Sequence, residues 1–166
     1  MRAARLAGSA ASAAGSIGRQ PMRIRAGRHL TSSRARRLPI VVIVASGLGD
    51  GAAEDLAQDV ERTQLSTRSF RPLFVIDSAD FAPFRRRGYV VERVMPAEEL
   101  AAVNPGDDYD EYLYSRVSAV ARIYRAAAVV PIPAGGLDDW RGPLVRLIGA
   151  IPGGPVSPGG RASFPR

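Results

Sequence analysis

The segment Pro39–Gly51, PIVVIVASGLGDG, constrains the fold most strongly, because an apolar run leads directly into a glycine-rich turn. Ile40–Val44 are five consecutive apolar residues, mostly β-branched, which favours a strand covered on both faces, as in a parallel sheet. Gly47, Gly49 and Gly51 then turn the chain into a helical pattern. In α/β domains this strand–turn–helix order brings backbone N–H groups to a ligand at the carboxyl edge of the sheet. The segment therefore predicts a ligand site.

Strand-like and helix-like patterns alternate along the rest of the chain, which indicates an α/β fold with a mainly parallel sheet. We expect further strands at 72–77, 89–94 and 129–132, and helices at 52–66, 96–102, 104–126 and, last, 135–148. At 166 residues the chain can bury one ordinary domain core. We predict a single three-layer, Rossmann-like domain over residues 38–150, with a sheet of about four strands.

Charge is distributed unevenly between the ends and the middle of the chain. Residues 1–37 hold nine Arg and no acid, and they lack apolar periodicity. We predict a disordered basic leader there, in preference to a secretory signal, which needs a continuous apolar core, or a nucleic-acid-binding arm, which would want aromatic residues. Whether Met1 or Met22 starts the mature chain is left open. Residues 151–166 are rich in Pro and Gly and are predicted to be a disordered tail.

Composition excludes several classes of chemistry. All 23 basic residues are Arg, so a Schiff-base lysine and the phosphate-binding lysine of a P-loop are excluded. Cys is absent and the single His29 falls in the leader, which argues against thiol nucleophiles, histidine triads and metal sites. The groups that remain available for chemistry are carboxylates, hydroxyls, Arg side chains and the backbone. We predict neither a cofactor nor a metal. No apolar run reaches the roughly 20 residues of a membrane span, so we expect a cytoplasmic protein, with peripheral membrane association left open.

The glycine turn and the end of the second strand supply the candidate ligand-binding residues. The spacing G-x-G-x-G is one residue short of the dinucleotide fingerprint, and the acid ending the second strand lies 28 residues beyond Gly49, against the usual ~20. A carboxylate within the turn also opposes a pyrophosphate. The alternative interpretation is a tight turn that packs helix on sheet. The candidates are Gly47, Leu48, Gly49, Asp50, Gly51 and Asp77.

Three other clusters allow a functional and a structural interpretation. The stretch 107–114, DDYDEYLY, could form a carbohydrate surface or a carboxylate pair, although an apolar helix stripe with acids at the helix amino end explains it more simply. The run Arg85–Arg87 could bind phosphate, or it could be a solvated helix end. Trp140, beside two acids, is more typical of a packed aromatic residue.

The order of these parts resembles a known family. The glycine turn is followed by PLFVIDSADFAPFRRRGYVVERV, which has a hydrophobic strand, Asp, Phe, Arg-Gly and a second short strand. Over residues 38–132 this resembles the amino-terminal Rossmann-like half of GT-B glycosyltransferases, especially bacterial enzymes acting on cell-surface polysaccharides. The resemblance implies that the turn forms one wall of a cleft and that this half binds the acceptor. The donor-binding half and its Glu-x7-Glu motif have no counterpart in the sequence.

We therefore expect a glycosyltransferase-like acceptor-binding domain that is incomplete as an enzyme by itself. Its expected partners are a saccharide or lipid-linked acceptor and a second chain that supplies the donor-binding domain, and nucleic acid is not expected. Two alternatives from other classes stay open. One is a non-catalytic interaction or scaffold module, and the other is a nucleotide-dependent oxidoreductase that uses the glycine turn.

Overall fold

The structure, a computed structural model, describes residues 24–49 and 51–132. Several expectations lie outside these residues: most of the leader, Asp50, the final helix with Trp140, and the tail. Within the described part, a short 3-10 helix at Ala35–Arg37 precedes four strands and four helices. In chain order these are β1 (Ile40–Ala45), α1 (Ala52–Thr67), β2 (Arg71–Ile76), α2 (Ala82–Arg86), β3 (Val90–Arg93), α3 (Ala97–Val103), α4 (Tyr109–Tyr124) and β4 (Ala128–Ile132).

The four strands form one parallel sheet in the order β3-β2-β1-β4. Chain growth runs from β1 through β2 to β3 on one side, and β4 then adds to the other side of β1. This places a topological switch point between β1 and β4, the position where open α/β sheets leave a crevice at their carboxyl edge. The glycine turn follows β1 and therefore lies at that crevice.

Alternate residues of the central strand face two separate cores, so the domain has three layers. Val41, Ile43 and Ala45 of β1 pack with the apolar face of α1 and with α2. Ile40, Val42 and Val44 pack on the other face, beneath α4. The helical period of 52–66 predicts that Ala53, Leu56, Ala57, Val60 and Gln64 share one face, and α1 buries all five; it also buries Asp59, which the same period places among the polar positions. The buried stripe of α4 consists of Leu113, Val117, Val120 and Tyr124. The predicted α/β class, with its four-stranded parallel sheet, is confirmed.

The packed part of the chain begins earlier than residue 38, the boundary predicted from sequence. Ile24, Ala26 and Ala35 are buried, and Ile24 belongs to the core beneath α4. The Gln64 side-chain amide donates to the Ala26 carbonyl at 2.6 Å, and Arg71 Nη1 donates to the Ile24 carbonyl at 3.1 Å. Long-range contacts to backbone carbonyls, rather than an amphipathic face, hold residues 24–37 on the domain. The segment therefore needs no apolar periodicity in its sequence.

The start of α4 also differs from the expectation. The helix expected over 104–126 would have Asn104 as its cap and Pro105 in its first turn, because both residues favour those positions. The helix begins instead at Tyr109, and its cap is Asp108. The Asp108 carboxylate accepts the backbone N–H groups of Asp110 and Glu111 at 2.8 and 3.1 Å. Residues 97–103 form the separate helix α3. Among the helices in the described ranges, none has both the length and the apolar character needed to cross a membrane.

Candidate functional site

The parallel register of β1 and β2 brings the glycine turn and Asp77 together. Ala45 and Ile76 are register partners at the carboxyl ends of the two strands, so the residues that follow them continue side by side. The Gly47 backbone N–H donates to Asp77 Oδ2 at 2.8 Å. Gly47 has a φ of +69°, a left-handed conformation that glycine adopts without strain. Asp77 therefore holds the first glycine of the turn in place.

The rest of the turn joins the start of α1 and leaves space above it. Gly51, with a φ of +79°, is the cap residue of α1, and no side chain of a described residue caps the helix there. A Cβ added at Gly49 or Gly51 would meet no atom within 4 Å. Leu48 is half-buried and packs against the core beneath α1, so it anchors the turn rather than facing a ligand. Of the six predicted residues, the structure thus brings the turn glycines and Asp77 to one edge.

Two tyrosines from the first turn of α4 lie at the same edge of the sheet. Tyr112 is half-buried, and its hydroxyl accepts the backbone N–H of Met95, just after β3, at 3.0 Å. The ring of Tyr109 lies 6.2 Å from that of Tyr112, centroid to centroid. Both rings pack partly against the core beneath α4. The hydrogen bond between Met95 and Tyr112 connects α4 to the loop after β3, and it positions Tyr109 at the carboxyl edge.

The hydroxyl of Tyr109 is buried, yet it has no hydrogen-bond partner among the described residues. Burial, together with the negative charges of Asp77 and Asp110, raises the pKa of Tyr109 to about 12. The hydroxyl is therefore protonated at neutral pH and is close enough to Asp77 to feel its charge. It is a potential donor and acceptor that no described residue uses.

The electrostatic character of this edge is negative. Exposed acids follow β2 (Asp80), open α3 (Glu98) and open α4 (Asp110), in addition to Asp77. A phosphate would meet these charges, and the turn N–H that a phosphate would use at Gly47 already binds the Asp77 carboxylate. No group of three metal-binding side chains occurs in the parts of the chain that the structure describes. The edge therefore suits neutral, hydroxyl-bearing ligands better than anions.

The run Arg85–Arg87 does not form a phosphate site, and it is only partly a solvated helix end. Arg87 is buried, against the expectation, and it pairs with Glu54 at 2.6 Å and Glu61 at 3.0 Å, both on α1. This pairing lowers the pKa of Glu54 and raises that of Arg87. Arg86 is exposed and also pairs with Glu54, while Arg85 lies over the ring of Phe81 at 5.4 Å. The ion pairs of Arg86 and Arg87 hold α2 against α1.

His29 also lies away from the carboxyl edge. Its Nε2 is 3.2 Å from Glu61 Oε1, in the middle of α1, so the single histidine belongs to the contact between residues 24–30 and that helix. Trp140 lies outside the described residues. The structure thus concentrates the candidate chemistry on one carboxylate, one tyrosine hydroxyl and the turn backbone.

Tyr109 is the residue whose role the sequence argument underrated. The helical period of the sequence places Tyr109 on the apolar stripe of α4, which is half correct because its ring packs on the core while its hydroxyl has no partner among the described residues. A signal was present in the sequence. A tyrosine in the first turn of a crossover helix lies at the carboxyl edge of a parallel sheet, where ligands bind.

No protein-family model, no curated protein and no solved structure matches this chain. The geometry of the carboxyl edge is accordingly the basis for a functional proposal.

Proposed function

We propose that the carboxyl edge of the sheet binds a saccharide, as the acceptor-binding half of a GT-B-like glycosyltransferase whose donor-binding half comes from a partner. The observation that supports this most is the 2.8 Å hydrogen bond from the Gly47 N–H to Asp77 Oδ2. It holds the carboxylate that follows β2 against the turn that follows β1, next to the crevice between β1 and β4. The Tyr109 hydroxyl, which has no partner among the described residues, lies within range of that charge.

The chemistry of these groups matches a sugar. An ionised carboxylate has about four acceptor positions, and Gly47 occupies one of those on Asp77. The others can accept hydrogen bonds from sugar hydroxyls, while the Tyr109 hydroxyl can donate to a sugar oxygen or accept from a sugar hydroxyl. Tyr109 and Tyr112 also add aromatic surface for the apolar face of a sugar ring. The acids around the edge accept hydrogen bonds from hydroxyls and repel phosphates.

A dinucleotide is the second candidate, because an acid at the end of β2 is where Rossmann domains bind a ribose hydroxyl. Asp77 lies at that position, beside the first glycine of the turn. The proposal and this alternative differ in their ligands. A saccharide needs no phosphate cradle, whereas a dinucleotide must place a pyrophosphate over the turn, close to the acids described above.

Saturation-transfer-difference NMR on the full chain separates the two. We expect saturation transfer to neutral mono- and disaccharides and none to NADH at equal millimolar concentration. Asp77→Asn keeps an oxygen for the Gly47 N–H but removes the charge, and we expect it to weaken saccharide binding about tenfold, the loss of one charge-assisted hydrogen bond. Asp55→Asn, which removes an exposed carboxylate from the first turn of α1, outside the residues of the proposed site, is the matched control.

Binding of NADH that the Asp77→Asn change weakens would replace the proposal by the dinucleotide alternative. An absence of transfer to every saccharide and to NADH, with and without a candidate partner chain, would leave the scaffold interpretation. Equal saccharide binding by the wild type and the Asp77→Asn variant would show that the carboxyl edge is not the site.

A further inference from the structure

The amino edge of the sheet, opposite the proposed saccharide site, carries a concentration of exposed arginines. These arginines precede three strands: β1, which follows the 3-10 helix, and β2 and β4, which follow the long helices α1 and α4. The six are Arg34, Arg36 and Arg37 before β1, Arg68 before β2, and Arg122 and Arg125 before β4. We refer to these six residues as the arginine edge.

None of the six makes an ion pair with another described residue. Five arginines elsewhere in the described ranges do pair with acids, among them Arg86 and Arg87 with Glu54, and Arg93 with Glu99 at 2.7 Å. Arg25, Arg85 and Arg116 form no ion pair with a described residue either, so the six of the arginine edge are the larger part of the unpaired set. The unpaired acids collect at the carboxyl edge instead, so positive and negative charge are separated along the strand direction. An Arg-rich composition explains how many arginines the chain has, but it does not explain why they collect unpaired at one edge.

The two long helices end on strained arginines at this edge. Arg68, the C-cap of α1, has a φ of +49°, and Arg125, the C-cap of α4, has a φ of +52°. Glycine is the usual residue in this left-handed position because a Cβ is unfavourable there. An arginine within the last helical turn would interact with the helix dipole equally well and without the strain. Strain of this kind at two equivalent positions is typical of a functional surface.

Exposed apolar side chains accompany these charges. Leu65, 38% exposed, lies in the last turn of α1 before Arg68, and Ile123, 53% exposed, lies between Arg122 and Arg125. They are two of the four large apolar side chains that are exposed in the described ranges. A surface that combines arginines with isolated aliphatic side chains suits the interface of an anionic membrane, where charge attracts and apolar groups insert.

The leader joins the domain at the same edge. The Ile24 carbonyl accepts a hydrogen bond at 3.1 Å from Arg71, the first residue of β2, so residues 1–23 connect to the domain beside the strand starts. Those residues contain four further arginines and no acid. They are covalently joined to the domain at this edge.

We propose that the arginine edge docks on a membrane surface containing anionic phospholipids. Nucleic acid is the less suitable polyanion, because the described part of this edge exposes aliphatic rather than aromatic side chains, and bases need aromatic rings to stack on. Docking in this orientation holds the carboxyl edge one strand length, about 20 Å, from the lipid surface. The inference stands independently of the proposed saccharide binding.

Co-sedimentation of the full chain with vesicles tests the docking. We expect binding to phosphatidylcholine vesicles in which about a third of the lipid is phosphatidylglycerol, weak binding to pure phosphatidylcholine, and a steep decrease with salt. The double variant Arg68→Gly/Arg125→Gly relieves the strained positions, so it folds at least as well. We expect its affinity for anionic vesicles to fall about 25-fold, roughly fivefold for each arginine.

The matched control, Arg93→Gln/Arg116→Gln, removes the same charge from the carboxyl end of β3 and from the middle of α4, where both arginines are exposed, and we expect less than a twofold change. Leu65→Ser/Ile123→Ser should reduce the binding that persists at high salt. A fluorescein-labelled single-stranded oligonucleotide is titrated in parallel.

The proposal is overturned if the wild type does not bind anionic vesicles, or if the glycine variant binds them as well as the wild type. An equal loss in the control variant would show a general charge effect and would also overturn it. Oligonucleotide binding through the same two arginines, without vesicle binding, would assign the edge to nucleic acid instead.

Discussion

Replacing Tyr109 by Phe should stabilise this protein, although the change deletes a polar group from an ordered side chain. The Tyr109 hydroxyl is buried and has no hydrogen-bond partner among the described residues, while its ring packs on the core beneath α4. Phe keeps the ring and removes only the oxygen. The change therefore tests directly whether the hydroxyl is unsatisfied in the free protein.

The magnitude follows from the desolvation of the hydroxyl. A buried polar group without a partner costs about 1–3 kcal/mol, so its removal should increase the free energy of unfolding by about 1 kcal/mol. For a domain of about 100 residues this corresponds to a rise in Tm of roughly 4–8 °C. Tyr112→Phe is the matched comparison, because that hydroxyl accepts the Met95 N–H, and its loss should lower the free energy of unfolding by about 1 kcal/mol.

Urea denaturation followed by circular dichroism measures both variants against the wild type, with thermal unfolding as the second readout. The same chemical deletion should change stability in opposite directions at positions three residues apart. A Tyr109→Phe variant that is less stable than the wild type would refute the reasoning, because the hydroxyl would then have a partner in the folded protein. If the saccharide proposal is also correct, Tyr109→Phe should weaken saccharide binding while it raises stability.

Two further changes test the packing around α1. The pKa of Glu54 is lowered mainly by its hydrogen bond to Arg87, so this pairing stabilises the fold above the ordinary carboxyl pKa of 4.5, and its contribution is lost as the pH falls through the lower folded pKa. The urea midpoint should therefore decrease less between about pH 6 and pH 3 in Glu54→Gln than in the wild type. The difference should be modest because the Glu54 side chain is 44% exposed. Gly27→Ala should lower the free energy of unfolding by about 2 kcal/mol or more, because the new Cβ would lie 2.7 Å from the Tyr89 ring at a φ of +95°. Gly49→Ala, which meets no atom within 4 Å, should be nearly neutral in the same denaturation assay, and equal effects at the two glycines would contradict the packing described here.

Local pattern was sufficient for the elements that bury one continuous face. The five apolar residues of β1 predicted a strand covered on both sides, and the 3.6-residue period of α1 predicted its buried face, including Gln64. The hydrogen bonds of the buried Gln64 amide were not predicted. This side chain donates to the carbonyls of Ala26 and Phe70 and accepts from the Tyr89 hydroxyl. Periodicity identifies which face is buried, but it carries no information about distant partners.

The α4 cap shows a second limit of local reasoning. Asn104, a good cap residue followed by Pro105, was a sound choice by propensity, yet Asp108 caps the helix instead. Both sites satisfy the same local rule. The start of the helix is selected by the packing of the stripe from Leu113 to Tyr124 against β1 and β2. The residues next to the cap in the sequence give no information about that packing.

The sequence by itself determined the fold class, the strand that ends in the glycine turn, and the absence of lysine and cysteine chemistry, because these depend on composition and on neighbours along the chain. Only the tertiary structure decided that Gly47 binds Asp77, that Arg87 is buried between two acids of α1, and that residues from Ile24 onward pack on the domain. It also decided that the unpaired arginines and the acids lie at opposite edges of the sheet. The physical reason is that strand order and register bring together residues 26 to 47 positions apart, and each such contact depends on all the others forming at once.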